Sequence, residues 1–199
     1  MSAIRSICVY CGSSPGNHPD YTAAAVTLGT AIANAGLTLV YGGGTTGIMG
    51  TVSNAALEAG GNVVGIIPEF LLPKETSGHR KTPLTELIVT KDMHERKHIL
   101  FERSDAFVAM PGGIGTVEEI IEVMTWGQLG RHSKSMAFCN INGFWNPMIT
   151  LINHMKSEGF IHTSHLVNPL VFDAADAIVP GILAVAIKGG GVTSVIAKL

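Results

Sequence analysis

Charged side chains are scarce in this chain. Only 14% of its 199 residues are charged, and the formal net charge is −2 at pH 7. A general nucleic-acid binder needs a basic surface or a dense basic patch, so we expect no nucleic-acid partner. The mean hydropathy is +0.35, and few charges leave little polar surface. We therefore expect part of the surface to be buried in an oligomer.

Long apolar runs and export signals are also lacking. The longest apolar stretch lies near residues 178–187, where Pro180 and Gly181 interrupt it, and it is too short to span a bilayer. No N-terminal segment joins a basic start to an apolar core, so secretion is not expected. These features predict a cytoplasmic protein that has no membrane partner.

Cysteine is rare. The chain has three cysteines, and an odd number fits reduced thiols in a cytoplasm. Cys8 and Cys11 form a C-x-x-C pair, but a redox pair needs its first cysteine at a helix N-terminus with a lowered pKa. Because Cys8 lies inside an apolar, strand-like stretch, we expect it to be a small buried hydrophobe.

A metal-binding pattern is missing as well. The eight histidines are scattered, and His162-x-x-His165 is the nearest approach to a metal pair. No carboxylate or cysteine is spaced to complete a ligand set around that pair. We expect no metal site and interpret the histidines as surface residues.

What the chain does have is an alternation of strand and helix patterns. Apolar strand-like runs cover residues 7–10, 37–41, 62–67, 87–89, 106–110 and 136–140, and helical patterns cover 21–35, 48–59 and 147–157. Continuous apolar strands separated by helices predict a parallel sheet that is covered on both faces. No composition shift divides the chain. We predict one doubly wound α/β domain over residues 1–199.

Small and glycine-rich turns follow three of the predicted strands, at residues 12–14, 42–47 and 112–116. Ligands of doubly wound sheets collect at the carboxyl ends of the strands. The third turn lies between a buried strand and a helix N-terminus, where backbone N–H groups and the helix dipole favour an anion. Three such turns in one small domain predict a phosphorylated ligand.

Charged residues beside the third turn indicate chemistry as well as binding. A loop that only held phosphate would gain nothing from a carboxylate at Glu119. Asp92 and Glu95 predict a capped helix start, and this helix carries Arg96 and Lys97 one strand before the turn. Arginine can hold phosphate or ribose hydroxyls with a planar fork, and lysine adds a point charge.

Two other classes stay open on these residues. Gly42-x-Gly44-x-x-Gly47, with Glu69 about 20 residues on, fits the dinucleotide fingerprint of an NAD(P)-binding oxidoreductase. That fingerprint normally follows the first strand, whereas here it follows the second, and no P-loop lysine follows any of the turns. A non-catalytic nucleotide or molybdopterin-type carrier could use the same phosphate loop without needing Glu119.

The third turn also resembles a known signature. Pro111-Gly112-Gly113-Ile114-Gly115-Thr116-Val117-Glu118-Glu119 is similar to the PGGxGTxxE motif of the LONELY GUY (LOG) family, which has long been labelled lysine decarboxylase. The similarity extends over most of residues 5–160 in the same order. It includes Tyr10-Cys11-Gly12-Ser13-Ser14, Tyr41-Gly42-Gly43-Gly44, Asp92-Met93-His94-Glu95-Arg96-Lys97 and Thr125-Trp126-Gly127-Gln128-Leu129-Gly130.

The resemblance implies a Rossmann-like homodimer without a cofactor. Its reaction would be hydrolysis of the N-glycosidic bond of N6-prenylated AMP or AMP, as in a phosphoribohydrolase or AMP nucleosidase, with release of cytokinin base or adenine and ribose 5-phosphate. The implied catalytic residues are Arg96 and Glu119. The implied substrate-binding residues are Ser13, Gly43, Glu75, Lys97, Gly112, Gly113, Ile114, Gly115, Thr116, Val117, Glu118 and Thr125.

The chemistry of that reaction agrees with the residue types. Breaking a ribosyl C–N bond develops positive charge on the ribose, which Glu119 would stabilise while it orients or deprotonates water. An unperturbed glutamate has a pKa of about 4.3, so we expect Glu119 to be ionised at neutral pH. Residues 112–116 would hold the 5′-phosphate and fix the ribose. Arg96 would counter the phosphate or polarise ribose hydroxyls.

Overall fold

A computed structural model describes residues 4–77, 82–161 and 168–192. The strands are β1 (Ser6–Tyr10), β2 (Thr38–Tyr41), β3 (Asn62–Pro68), β4 (Glu86–Thr90), β5 (Ala106–Ala109), β6 (Ser135–Cys139) and β7 (Leu170–Phe172). They form one seven-stranded sheet in the order β4-β3-β2-β1-β5-β6-β7. Every neighbouring pair is parallel. The predicted parallel sheet is therefore confirmed, and six strands match their predicted positions to within a residue at each end.

Helices cover both faces of the sheet. They are α1 (Pro19–Asn34), α2 (Gly47–Glu58), α3 (Leu72–Glu75), α4 (Met93–Glu102), α5 (Ile114–Gln128), α6 (Asn146–Ser157) and α7 (Ile178–Val192). One apolar core contains buried residues of α1, α2 and α7, among them Leu28, Val52 and Ile182. A second core contains buried residues of α4, α5 and α6, including Leu100 and Ile120. The two cores confirm the doubly wound, Rossmann-like class.

The C-terminal elements β7 and α7 were not predicted. The apolar run at residues 178–187 forms most of α7, whose first turn contains Pro180; proline is tolerated there because the N–H it lacks has no helical partner. The next residue is Gly181, where a side chain would strike the ring of Phe172. Over the described ranges, no helix is long and apolar enough to cross a membrane.

The strand order opens a crevice beside β1. Strands β2 to β4 extend from one side of β1 and strands β5 to β7 from the other, so the chain segments that follow β1 and β5 leave the sheet in opposite directions. These segments touch at their start, where Gly12 N donates to Pro111 O at 3.2 Å. Sheets of this type bind ligands at this switch point.

Candidate active site

The N-terminus of α5 faces the crevice without a side-chain cap. Its N-cap residue is Gly113, which offers no side chain to the first helical N–H groups. The first helical hydrogen bond runs from Val117 N to Gly113 O at 3.2 Å. The N–H groups of Ile114, Gly115 and Thr116 precede that bond, so this end of the helix is suited to an anion.

The glycines of this turn fall into two kinds. A side chain on Gly112 would strike Thr116 and the backbone of Gly12, so the packing of the two loops requires glycine there. A Cβ on Gly113 or Gly115 would meet nothing within 4 Å, and neither residue has a positive φ. Glycine is common at an N-cap such as Gly113, but it weakens the interior of a helix relative to alanine. Gly115 is therefore best explained by room left for a ligand.

Arg96 is buried at the wall of the crevice and is held by backbone carbonyls. Its Nε donates to Ile66 O at 3.2 Å, and its Nη2 donates to Gly42 O at 3.3 Å. Gly42 must lack a side chain, since a Cβ there would strike the guanidinium. The start of α4 is fixed as predicted at its N-cap, where Asp92 Oδ1 accepts from Glu95 N at 2.9 Å. The guanidinium is therefore preorganised.

Glu119 lies opposite this guanidinium, with its Oε1 3.6 Å from Arg96 Nη1. Its side chain is buried, and burial raises the pKa of Glu119 to about 7, although the Arg96 charge acts to lower it. The expectation of an unperturbed, fully ionised glutamate was therefore wrong. Burial withdraws the carboxylate from water and thereby favours its protonated form.

Glu75 supplies a second carboxylate at the end of α3. Burial raises the pKa of Glu75, against the lowering effect of the Arg96 charge. Its Oε2 is buried and has no hydrogen-bond partner among the described residues. A buried carboxylate oxygen without a partner is costly, so this atom points to a donor that a ligand would bring.

A cavity of about 360 Å³ joins these groups. Nine of the predicted site residues line it: Ser13, Glu75, Arg96, Gly113, Ile114, Gly115, Thr116, Glu118 and Glu119. Sequence reasoning did not assign the other lining residues to the site: Val9, Tyr10, Cys11, Gly12, Gly42, Met49 and Met93. Tyr10, Cys11, Gly12, Gly42 and Met93 belong to the matching motifs, which were the available signal for them. Met49 is a helical apolar residue that looks like core in the sequence.

The other predicted site residues do not line this cavity. Lys97 Nζ is paired with Glu118 Oε1 at 2.7 Å and with Glu122 Oε1 at 3.3 Å, and its hydrogen bond to Glu118 is the main cause of its raised pKa. Thr125 is exposed, and its hydroxyl donates to Ile121 O within α5 at 2.8 Å.

Three predicted glycine and valine positions also lie away from the cavity. Gly43 has a φ of +78° and packs against Ile67 of β3. Val117 packs against the second apolar core. Gly112 lines a neighbouring cavity of about 220 Å³.

The fingerprint-like glycines have packing roles within the protein. Gly42 makes room for Arg96, Gly44 for Met49, and Gly47 for the backbone of Ser13. The turn that carries them follows β2, one strand away from the switch point between β1 and β5. Packing within the protein therefore accounts for Gly42 and Gly47 without a dinucleotide, whereas the neighbour of Gly44 is the flexible end of a methionine side chain.

The cysteines and histidines do not form a reactive or metal site in the described residues. Cys8, Cys11 and Cys139 are buried and unpaired, and burial raises the pKa of Cys8, the opposite of what a redox pair requires. Within residues 4–77, 82–161 and 168–192, no group of three or more His, Cys, Asp or Glu residues could hold a metal ion. His162 and His165 lie outside these ranges.

Comparison with known proteins shows first the fold class of the chain and then its family. The molybdenum cofactor carrier protein MCP from Chlamydomonas reinhardtii superposes with a TM-score of 0.66 over 91% of this chain and 99% of its own, at 21% identity. At that identity, the likeness shows the shared Rossmann-like fold alone. A family model described as "Possible lysine decarboxylase" matches residues 49–182.

The curated relatives define the family more closely. Cytokinin riboside 5′-monophosphate phosphoribohydrolase LOG of Oryza sativa subsp. japonica is 47% identical over 160 residues, which are 80% of this chain and 65% of the rice protein. The enzyme of that name from Rhodococcoides fascians is 47% identical over 157 residues, 79% of this chain and 78% of that protein. The chain belongs to the LOG family, and it spans about two thirds of the rice protein's length.

Proposed function

We propose that the protein hydrolyses the N-glycosidic bond of AMP or N6-prenylated AMP and releases adenine or a cytokinin base together with ribose 5-phosphate. The observation that carries this proposal is the buried Arg96–Glu119 pair, 3.6 Å apart, in one cavity with the uncapped N-terminus of α5. Relatives that are 47% identical are named as cytokinin riboside 5′-monophosphate phosphoribohydrolases.

The 5′-phosphate is assigned to the N-terminus of α5. Gly113 and Gly115 leave open space there, and Thr116 lines the same wall. Glu119 lies farther along α5, about 7–8 Å from Ile114 along the helix axis. A phosphate bound at the start of the helix therefore directs the ribose toward Glu119, and distal binding fixes the reacting geometry.

Glu119 then acts at the anomeric carbon. As the C–N bond breaks, its carboxylate stabilises positive charge on the ribose. Water adds its oxygen to the anomeric carbon and gives a proton to Glu119. The departing base takes up this proton, directly or through solvent, so Glu119 returns to its carboxylate form. A carboxyl group with a pKa of about 7 is suited to exchanging protons at neutral pH.

Arg96 is assigned to the ribose end of the substrate rather than to the phosphate. Its Nε and Nη2 donate to the carbonyl oxygens of Ile66 and Gly42. Its third nitrogen, Nη1, faces Glu119. It keeps part of the Glu119 population ionised and is placed to polarise ribose hydroxyls. No lysine is among the described residues that line the cavity, so no residue there suits a Schiff-base decarboxylase.

The assembly and compartment proposed are a homodimer in the cytoplasm. Large apolar side chains at both ends of α5, Ile114 and Leu129, are exposed, which supports burial against a second copy. Three buried, unpaired cysteines support a reducing compartment. Light scattering on the purified chain measures the assembly directly, and a monomer at all concentrations would contradict the dimer.

Product chromatography tests the proposed activity. The purified chain is incubated with AMP, N6-prenylated AMP, adenosine and ATP, and free base is separated from the remaining nucleotide. We expect base and ribose 5-phosphate from the two monophosphates, and no base from the nucleoside or triphosphate. If AMP binds but no monophosphate yields base, the hydrolase proposal fails and a nucleotide carrier takes its place.

A further inference from the structure

Thr45 lies in the turn between β2 and α2. It is next to Glu75, which lines the cavity. Its N–H donates to Glu75 O at 2.7 Å, and its hydroxyl donates to the same oxygen at 3.2 Å. One residue thus supplies two hydrogen bonds to a single carbonyl. This pairing links residues that are far apart in the chain and belong to different elements.

The position of Glu75 depends on such contacts. It is the last residue of α3, which has only four residues, and helices this short are not stable on their own. Thr45 is itself fixed, because α2 approaches it so closely at Gly50 that a Cβ there would strike the Thr45 carbonyl. The two hydrogen bonds therefore hold the end of α3 in a fixed position relative to α2.

The side chain placed in this way has an unsatisfied acceptor. Glu75 Oε2 is buried without a hydrogen-bond partner among the described residues, and Glu75 lines the same cavity as Arg96 and Glu119. Of the groups in a nucleoside monophosphate, the ribose hydroxyls are donors that suit a carboxylate. We propose that Thr45 is a positioning residue that sets Glu75 to accept hydrogen bonds from these hydroxyls, an inference that rests on the proposed function.

The test uses variants that differ by one hydroxyl. Thr45→Val keeps the shape and the N–H of the residue and removes the second donor to Glu75 O. We expect the KM for AMP to rise about threefold to tenfold, the effect of one hydrogen bond, with kcat within about twofold of wild type. Thr45→Ser retains the donor and is expected to restore the wild-type KM.

A double-mutant cycle separates positioning from a purely structural role. The Kd of AMP is measured by calorimetry in the Glu119→Gln background, which isolates binding from turnover, with Thr45→Val and Glu75→Ala singly and together. We expect Thr45→Val to have no further effect once Glu75 is alanine, because no carboxylate is left to position.

Each outcome decides a separate claim. An unchanged Kd in Thr45→Val, or the same increment with and without the Glu75 carboxylate, would overturn the positioning role. If AMP binding depends on Thr45 through Glu75 but wild type releases no base, the proposed function fails while the positioning role stands. Absence of AMP binding to wild type would remove both.

Discussion

At the scale of single residues, the site is defined by a carboxylate that burial keeps from full ionisation. Glu119 is 9% exposed, and its pKa is raised to about 7. Its counter-charge, Arg96, is held by carbonyls at the ends of β2 and β3, so the pair cannot easily separate into water. Glu119 can therefore stabilise charge as a carboxylate and also exchange a proton near neutral pH.

The raised pKa of Glu119 predicts a pH-dependent stability. Between about pH 4 to 5, where an unperturbed glutamate titrates, and about pH 7, folded protein keeps a proton that unfolded protein has lost, so stability falls as pH rises through this range. The change corresponds to about 3 kcal/mol. The free energy of unfolding is measured by denaturant titration from pH 4 to 8. Wild type should lose this stability with rising pH and Glu119→Gln should not, so the value for Glu119→Gln minus that for wild type should rise by about 3 kcal/mol. A constant difference would show that Glu119 does not titrate in this range.

The sequence could single out Arg96 and Glu119 as candidate catalytic residues, but it could not predict the electrostatics of the pair. Glu119 and Arg96 lie within motifs that can be read along the chain. The pKa of Glu119 depends on desolvation by neighbours from other elements, which no local pattern reveals. Lys97 illustrates the same limit, because its ion pairs with Glu118 and Glu122 come from the packing of α4 on α5.

At the scale of elements, the N-terminus of α5 combines two functions in one glycine turn. Gly112 allows the turn to pack on Thr116 and on the loop after β1, whereas Gly113 and Gly115 face open space. The sequence shows three similar glycines. Only the structure separates the one needed for packing from the two that leave room for a ligand.

This difference predicts opposite behaviour for two alanine variants. Gly115→Ala should leave stability unchanged or raise it by up to about 1 kcal/mol, while AMP affinity falls about tenfold because the added methyl occupies the proposed phosphate position. Gly112→Ala should lower the free energy of unfolding by about 1–3 kcal/mol through overpacking against Thr116. Denaturant titration and calorimetry measure both quantities. Wild-type AMP affinity in Gly115→Ala would exclude this turn as the phosphate site.

Most of the elements could be predicted because strand and helix patterns alternate clearly up to α6. The C-terminal pair β7 and α7 was missed for a physical reason. The run at residues 178–187 is apolar without helical periodicity, and Pro180 and Gly181 look like helix breakers in the sequence. In the fold, Pro180 occupies the first turn of α7, and Gly181 accommodates Phe172 of β7.

At the scale of the whole molecule, the strand order assembles the site. Because all the strands are parallel, the segments that follow them leave the sheet at one edge, although they are far apart in the chain. Ser13 comes from the loop after β1, Glu75 from α3, Arg96 from α4 and Glu119 from α5. Parallel strands with connections on both faces bring these residues together.

The central claim is that this crevice cleaves the N-glycosidic bond through Glu119, and one comparison tests it most directly. AMP binding and base release are measured on wild type, Glu119→Gln and the control Glu122→Gln. Glu122 lies on the same helix and pairs with Lys97, but it does not line the cavity. We expect Glu119→Gln to bind AMP within about threefold of wild type and to release base at least about 1000-fold more slowly, while Glu122→Gln stays close to wild type. Base release by Glu119→Gln within tenfold of the wild-type rate would contradict the account.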